Sequence, residues 1–339
     1  MLPKGLRAMQ QTTISRLSKL AFVAAIATPL ACTVTARAQD YPNRVVKLVI
    51  PFAGGSASDV LTRIIAEGLS PRIGQRVLVE NRAGAGGSLG SNEAAKAAPD
   101  GYTLLMGASG PLAANKTLMK SLPFDPIKDF APIGLVASMP NVLVVNPAKI
   151  PVRSVKAFVD FVKAHPGEVN YSSVGNGTSQ HLAGALFAHN LRLDMQHVPY
   201  RDAGQMVLDL VSGRVSSSFQ LIPNVAGHLG DDKLRPIAIM SDVRSTVLPD
   251  TPTMAEQGFP GVTSSAWFGL FAPAGTPATV IKKLSDETIK MMADPAIKAQ
   301  IIKIGADPMS SSPDELGKLL ATDIVKWRDL ITATGISIN

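Results

Sequence analysis

Apolar runs and amphipathic stretches alternate along most of the chain, with glycine-rich turns between them. Residues 45–50 are apolar and rich in β-branched side chains, which predicts a buried strand. A Gly/Ser loop follows, and apolar residues then recur at helical spacing over residues 60–69. The same order of strand, glycine loop and helix returns from residue 168 onwards. Strands that alternate with helices predict parallel sheets covered by helices on both faces.

The other predicted elements follow from the same patterns. Strands are expected at residues 76–80, 102–106, 132–138, 142–145, 195–199, 215–219 and 234–240. Helices are expected at residues 91–98, 155–164, 203–211, 277–293 and 313–332. Ser154 and Thr178 are suited to cap the helices that follow them. Residues 84–90, which are rich in glycine, are expected to form a flexible loop.

Two blocks of alternating strands and helices indicate two α/β lobes. The chain is expected to pass from the first to the second near residues 140–147 and to return near residues 267–273. This assigns residues 41–141 and 266–339 to lobe 1, and residues 142–265 to lobe 2. Two crossings between two lobes predict a hinge with a ligand cleft between the lobes.

Composition and charge remove several classes of function. The chain has 339 residues, of which 46% are hydrophobic and 17% charged, as in a globular protein of about two domains. The net charge of +7 arises mainly in residues 1–38, which hold five basic and no acidic residues. The rest of the chain has 28 basic and 26 acidic residues, without a basic run that could follow a phosphate backbone. Nucleic-acid binding is therefore not expected.

Residues 1–38 have the pattern of a secretory signal peptide. A basic stretch precedes an apolar run at residues 20–31, and Ala36-Arg37-Ala38 fits the cleavage site. The apolar run is shorter than the ~20 residues that a membrane-spanning helix needs. The only cysteine, Cys32, lies in this segment, so the mature chain should contain no disulfide. A lipid anchor on Cys32 is the minor alternative to cleavage after Ala38.

The two strand–loop–helix units are candidate anion sites. Backbone N–H groups at a helix N-terminus stabilise negative charge, and glycine allows close approach of a ligand. Hydroxyl donors lie in both loops, namely Ser56, Ser58, Ser173 and Thr178. Ordinary strand-to-helix turns are the alternative. No G-x-x-x-x-G-K-[ST] sequence is present, which favours a carboxylate over a phosphate as the ligand.

Enzyme motifs are weak in this sequence. Gly86-Gly-Ser88-Leu-Gly90 matches the G-x-S-x-G nucleophile elbow, but the preceding residues form a loop rather than the required strand. The five histidines show no H-E-x-x-H pattern. We therefore expect no catalytic residue, no metal site and no cofactor. A secreted hydrolase that uses Ser88 is the competing hypothesis.

Seven sequence segments occur in the order found in a known receptor family. They are Pro51-Phe-Ala…Gly55…Asp59, Val79-Glu-Asn-Arg-Ala-Gly-Ala-Gly-Gly87, Pro99-Asp-Gly-Tyr-Thr-Leu-Leu105, Tyr171-Ser-Ser…Gly175-Asn-Gly-Thr178 with His181-Leu182, His197-Val-Pro-Tyr200, Leu248-Pro-Asp-Thr-Pro-Thr253 and Trp267…Gly269…Ala272-Pro. From about Tyr41 to its end, the chain resembles the Bug family of extracytoplasmic solute receptors. These are the TctC-like substrate-binding proteins of tripartite tricarboxylate transporters.

The resemblance implies a two-lobed type II periplasmic-binding-protein fold with a hinge and an interlobe cleft. It also implies a periplasmic location, no catalysis, a small carboxylate ligand often held through bridging water, and membrane permease subunits as partners. We expect a monomer. The ligand-binding residues carried over or placed beside the cleft are Phe52, Gly54, Gly55, Ser56, Ser109, Ser173, Gly175, Gly177, Thr178 and Gln220.

Three departures from the family pattern concern the ligand. Ser56-Ala57 stands where the first loop usually has more glycine, and Arg201-Asp202 replaces the usual Lys-Gly. Phe219 is followed by Gln220, so no carboxylate is available there to pair with the ammonium group of an amino acid. The sequence therefore favours a carboxylate without an ammonium group. A ligand-bound sensor that presents its closed form to a signalling receptor remains the alternative to transport.

Overall fold

The computed structural model describes residues 41–229 and 233–336. The predicted signal peptide, residues 1–38, lies outside the described residues. The described part has ten strands: β1 (Val46–Ile50), β2 (Val77–Asn81), β3 (Thr103–Ala108), β4 (Phe130–Val145), β5 (Asn170–Ser173), β6 (Gln196–Pro199), β7 (Ser217–Leu221), β8 (Arg235–Ile239), β9 (Ser265–Pro273) and β10 (Asp307–Pro308).

Helices connect and cover these strands. They are α1 (Ala57–Ile73), α2 (Ser88–Ala95), α3 (Asn115–Leu118), α4 (Val155–Ala164), α5 (Ser179–Leu191), α6 (Ala203–Val211), α7 (Ile222–Val225), α8 (Ala278–Ala293), α9 (Pro295–Lys303) and α10 (Pro313–Thr334). Within the described ranges, no helix combines the length and apolar character needed to cross a bilayer.

The first lobe is built on a sheet with the strand order β2-β1-β3-β9-β4, and β10 pairs with the other edge of β4. Strands β2, β1 and β3 are parallel, whereas β9 and β4 run antiparallel to their neighbours. The sheet is therefore mixed, not parallel throughout as the sequence suggested. Strand β9 enters this sheet between β3 and β4 only after the chain has formed the second lobe.

The second lobe repeats this arrangement with the strand order β8-β4-β7-β5-β6. Strands β7, β5 and β6 are parallel, and β4 pairs antiparallel with β7 and β8. The carboxyl ends of parallel strands are where ligands bind in open α/β sheets. Each lobe therefore has one set of loops suited to a ligand.

Strand β4 belongs to both sheets. Its pairing with β9 ends at Pro140, and its pairing with β7 begins at Asn141. Asn141 is fully buried, and its side-chain amide donates to the carbonyl oxygen of Phe219 at 3.0 Å. The Asn141 N–H donates to the carbonyl oxygen of Ser264, the residue before β9. The change of sheet thus occurs at Asn141 and Ser264, while the proposed lobe boundaries at 141/142 and 265/266 stay a prediction.

Several local expectations need correction. The strands predicted at residues 132–138 and 142–145 form the single strand β4. Residues 267–273, expected to be a crossing, lie inside β9 of the first sheet. The expected flexible loop at residues 84–90 is a 3₁₀ turn, Ala85–Gly87, that leads directly into α2. Glycine makes this turn possible, because Gly86 and Gly87 both have positive φ angles.

Capping side chains fix the starts of α4 and α10. The N-cap predicted for α4 from the sequence, Ser154, is confirmed. The Ser154 hydroxyl accepts a hydrogen bond from the N–H of Ala157 at 3.2 Å. In α10, Ser312 and Glu315 form a reciprocal capping box. Each sheet packs its apolar side chains against the helices on both faces, with Phe271 in the first lobe and Phe219 in the second fully buried.

Candidate functional site

A cavity of about 410 Å³ lies between the two lobes. Its lining comes from segments that follow the carboxyl ends of β1, β2, β5, β6 and β7. The first loop, residues 51–56, and residues 83–87 line it from the first lobe. The second loop, residues 174–178, contributes Val174, Gly175 and Asn176 from the second lobe. The cavity therefore occupies the position that the two strand–loop–helix units predict.

The first loop is held by side chains at the start of α1. Ser56 is the N-cap: its hydroxyl donates to the carbonyl oxygen of Ala53 at 2.8 Å and accepts from the N–H of Asp59 at 3.3 Å. The N–H of Ala57 donates across the cleft to Asn224 Oδ1 at 2.8 Å. Two backbone donors at this helix start are therefore already taken by the protein.

The Asp59 carboxylate supports the same loop from behind. It accepts from the N–H of Gly55 at 2.8 Å and from Arg63 Nε at 3.1 Å. Burial would raise the pKa of Asp59, but hydrogen bonds from Arg63, Gly55 and Asn81 together hold it below its usual value. The charge of Asp59 is thus used within the protein to hold the first loop.

The second loop is held differently. Thr178 occupies the N-cap position of α5, but its hydroxyl donates back to the carbonyl oxygen of Gly175 at 2.7 Å and caps no N–H group. The first N–H groups of a helix have no partner inside the helix. Those of Ser179 and Gln180 are therefore left available, and both residues line a polar pocket beside the cavity.

Two stacked histidines lie beneath the second loop. His181 Nδ1 accepts from the N–H of Gly177 at 3.1 Å, which requires this nitrogen to be unprotonated. His197 Nε2 lies 2.7 Å from the Ser173 hydroxyl, and the two imidazole centroids are 4.1 Å apart. Burial lowers the pKa of His181 to about 4; burial, and then the neighbouring His181, lower that of His197 to about 3. Both imidazoles are neutral near pH 7.

A smaller polar pocket of about 20 Å³ adjoins the large cavity, with room for about one water-sized group. Ser58, Ser109 and Gln180 line it, and they are only 6%, 2% and 3% exposed. Among the described residues, nothing bonds to the hydroxyls of Ser58 and Ser109 or to Gln180 Nε2. Since these three donors have no described partner and open onto the pocket, they indicate a site for an oxygen-rich ligand group.

The large cavity has both polar and apolar lining, with Ser56, Asn176, Tyr200 and Asn224 among the polar side chains. Much of its lining is apolar, and these residues are Pro51, Phe52, Ala53, Ala83, Ala85, Met119, Val174, Pro199 and Ala203. Arg201 is the one charged residue among those described that line it. The described lining therefore has no carboxylate to bind a cation and favours an anionic ligand with an apolar body.

The structure brings together part of the predicted site. Five of the ten predicted ligand-binding residues line one or both cavities: Phe52, Ser56, Ser109, Gly175 and Thr178. The other five lie beside the cavities without lining them: Gly54, Gly55, Ser173, Gly177 and Gln220. The side chains of Ser173 and Gln220 are fully buried and bond to neighbouring side chains. The binding roles of all ten stay predictions.

Gln180, Asn224 and Met119 line the large cavity but were not singled out from the sequence. Gln180 follows the proposed loop by two residues, and an extension of the loop by half a helical turn would have included it. Ser58 was noted from the sequence as a hydroxyl donor but was not among the predicted ligand-binding residues. Ser88, the candidate nucleophile, accepts from Asn115 Nδ2 at 2.9 Å and has no histidine among its described partners.

The two lobes approach each other closely around the cavity. A Cβ atom added to Gly86 would collide with the carbonyl oxygen of Asn176 in the other lobe. A Cβ atom added to Gly110 would meet the carbonyl oxygen of Gly177 in the same way. This is the closed arrangement of the cleft, in which glycine is required for backbones to meet.

Comparison with known proteins identifies the family of this chain. Residues 61–336 match the Tripartite tricarboxylate transporter family receptor, TctC. Protein BugT of Bordetella pertussis is 37% identical over 303 residues, which cover 89% of this chain and 93% of BugT. This family consists of substrate-binding receptors, not enzymes.

Solved structures of similar proteins have the same fold. Rpa4515 of R. palustris, solved with adipate, is 32% identical, with a TM-score of 0.84 over 88% of this chain and 99% of that protein. MatC of Rhodopseudomonas palustris, solved with bound malate, is 32% identical, with a TM-score of 0.80 over 86% and 100%. The two-lobed fold expected from the sequence is confirmed. The chain belongs to the TctC/Bug family of periplasmic solute-binding proteins.

Proposed function

We propose that this protein captures a small carboxylate in the periplasm and delivers it to the permease subunits of a tripartite tricarboxylate-type transporter. The observation that carries the proposal is the polar pocket with three donors that have no described partner, Ser58, Ser109 and Gln180. One carboxylate oxygen fits this pocket, directly or through a bridging water. The start of α5 beside it adds backbone donors and the positive end of a helix dipole.

The magnitudes are sufficient for tight binding. A hydrogen bond to a charged group contributes about 1.5–3 kcal/mol, and micromolar affinity requires about 8 kcal/mol. Four or five such bonds, shared between two closing lobes, reach this value after the entropic cost of binding. The adipate and malate bound by two relatives are both acids of this size class.

The proposal is tested on the mature chain starting at Gln39, the residue after the predicted cleavage site. The protein is unfolded and refolded to remove bound ligand, and thermal unfolding is recorded with acids and with their neutral amides. Adipate and malate are compared with adipamide and malamide. An acid at 100 times its dissociation constant should add about 2.7 kcal/mol of stability, while the amides add none. Equal shifts with amides, or no shift with any acid, would contradict carboxylate capture.

Two serines of α1 provide a matched pair of variants. Ser58→Ala removes an unpartnered donor in the polar pocket and should weaken binding of the acid about tenfold or more. Ser70→Ala removes a hydroxyl that donates to the carbonyl oxygen of Ala66, far along the helix. The control should lower the melting temperature but leave the dissociation constant unchanged.

Delivery to a membrane partner is a separate part of the proposal. It is tested by uptake of the bound acid into cells that express the neighbouring permease genes, with and without the receptor. Uptake that depends on the receptor supports transport. Receptor-independent uptake would contradict it.

A further inference from the structure

Arg201 is a cation at the cavity without a described counter-ion. It follows β6 within the segment Tyr200-Arg201-Asp202. It is exposed, and within residues 41–229 and 233–336 it makes no hydrogen bond or ion pair. It lines the large cavity but not the polar pocket, so Arg201 and the polar pocket are two separate polar features of the site.

The carboxylates next to Arg201 in the chain and on α6 are occupied. Asp202 caps α6 and accepts from the N–H of Gln205 at 2.7 Å. Asp209 accepts from the Tyr200 hydroxyl at 2.9 Å and from Arg214 at 2.8 Å. Arg201 therefore faces the cavity with its charge unmatched, and an anion from solution can pair with it.

Apolar side chains line the cavity beside both polar features. Phe52 and Val174 line the polar pocket and the large cavity, as Ser58 and Gln180 also do, and Pro199 and Met119 line the large cavity alone. Methylene groups of a ligand would be removed from water against these side chains.

We propose that Arg201 binds a second anionic group of the ligand, so that the preferred ligands are elongated diacids with an apolar chain between two carboxylates. This inference rests on the proposed function, since the first carboxylate occupies the polar pocket. Guanidinium suits this role, because its fork of N–H donors matches a carboxylate in a bidentate geometry. Arg201 is then a specificity-determining residue of the receptor.

The inference is tested by isothermal titration calorimetry with straight-chain diacids of four to eight carbons and with the monomethyl ester of the diacid that binds most tightly. The ester keeps the chain and one carboxylate but removes the second charge. Wild-type protein should bind the diacid about tenfold more tightly than the ester. Arg201→Gln should reduce this preference to about one by weakening the diacid alone, and Arg201→Lys should retain part of it.

Arg153→Gln is the control, because it removes the same charge from an exposed residue of the second lobe outside the cavity. It should keep the tenfold preference. Equal binding of diacid and ester by the wild type, or an equal loss of both in Arg201→Gln, would overturn the role of Arg201 and leave carboxylate capture intact. Absence of binding by every acid would instead overturn the proposed function, and this inference with it.

Discussion

The two loops that meet at the cavity share one design but are stabilised in opposite ways. At the first loop, Ser56 and Asn224 satisfy backbone N–H groups at the start of α1. At the second loop, the Thr178 hydroxyl turns back to Gly175 and leaves the start of α5 uncapped. The support for the second loop comes instead from the buried imidazoles of His181 and His197.

This difference indicates a division of work between the lobes. The start of α1 is largely satisfied by the protein, so the first lobe offers a side chain, Ser58, to the ligand. The start of α5 offers backbone N–H groups together with Gln180. A strand–glycine loop–helix pattern thus identifies a possible anion site, but capping decides whether its backbone donors remain available.

The largest effect should come from displacing the second loop across the cleft. In Gly86→Ala the new methyl group collides with the carbonyl oxygen of Asn176, and a backbone atom cannot move aside cheaply. The cleft then cannot close, and the dissociation constant of the tightest acid should rise at least 100-fold, about 2.7 kcal/mol. Titration calorimetry measures this change.

Gly74→Ala is the control for backbone strain. Gly74 ends α1 with φ +76°, close to the +60° of Gly86, and a Cβ atom there meets no atom within 4 Å. Both variants should lose about 1–2 kcal/mol of stability, because the Cβ atom of alanine is strained in the left-handed backbone conformation. Only Gly86→Ala should lose affinity, and a similar loss in Gly74→Ala would show that strain alone, without a collision, weakens binding.

A second, smaller effect concerns acid stability. Histidine takes up a proton near its ordinary pKa of 6.5 in the unfolded chain, but His181 and His197 do so only near 4 and 3 in the folded protein. Between these values the unfolded state binds more protons. The free energy of unfolding of the ligand-free protein should therefore fall as the pH drops from 6.5 towards 4.

Urea unfolding at a series of pH values measures this slope. His181→Gln should make the slope shallower, whereas His189→Gln, an exposed residue on the same helix, should leave it unchanged. If the wild-type stability were flat over this range, the neutral imidazole pair could not be what supports the second loop.

The smallest effects separate the two N-cap residues. Ser56→Ala removes a true cap and should cost about 1 kcal/mol of stability, with little change in affinity. Thr178→Ala removes the hydrogen bond to Gly175 that holds the second loop, but it removes no cap. We expect its dissociation constant to rise about fivefold and its melting temperature to fall less than that of Ser56→Ala. Thermal unfolding and calorimetry on both variants test whether Ser56→Ala mainly lowers stability while Thr178→Ala mainly lowers affinity. Identical profiles would remove the distinction between the loops.

Much of the fold could be predicted because apolar periodicity and glycine loops are local signals. Both strand–loop–helix units and the N-cap Ser154 were predicted correctly. Strand β4 was divided into two, because Pro140 and Asn141 interrupt the apolar pattern between its halves. The continuity of β4 depends on partners that are distant in sequence, β9 on one side and β7 on the other. Local patterns contain no information about such a change of partner.

The position of the cavity was predictable, but the state of its donors was not. Sequence placed an anion site after β1 and β5, where the cavity lies. It could not rank the hydroxyls, because Ser56, Ser58 and Thr178 look alike until their hydrogen bonds are known. Two of them bond to backbone groups of their own loops, and Ser58 remains unpartnered. Gln180 was missed because it lies inside α5, two residues beyond the glycine loop that identified the site.

Strand β4 also has a mechanical consequence. It passes from one sheet to the other without a break, so loss of its pairing in one lobe exposes the end of its pairing in the other. Its central amide hydrogens, around Asn141, should therefore exchange with solvent only when the whole chain unfolds. The two lobes then form a single cooperative unit, in which a ligand held at the cleft protects even the amides farthest from it.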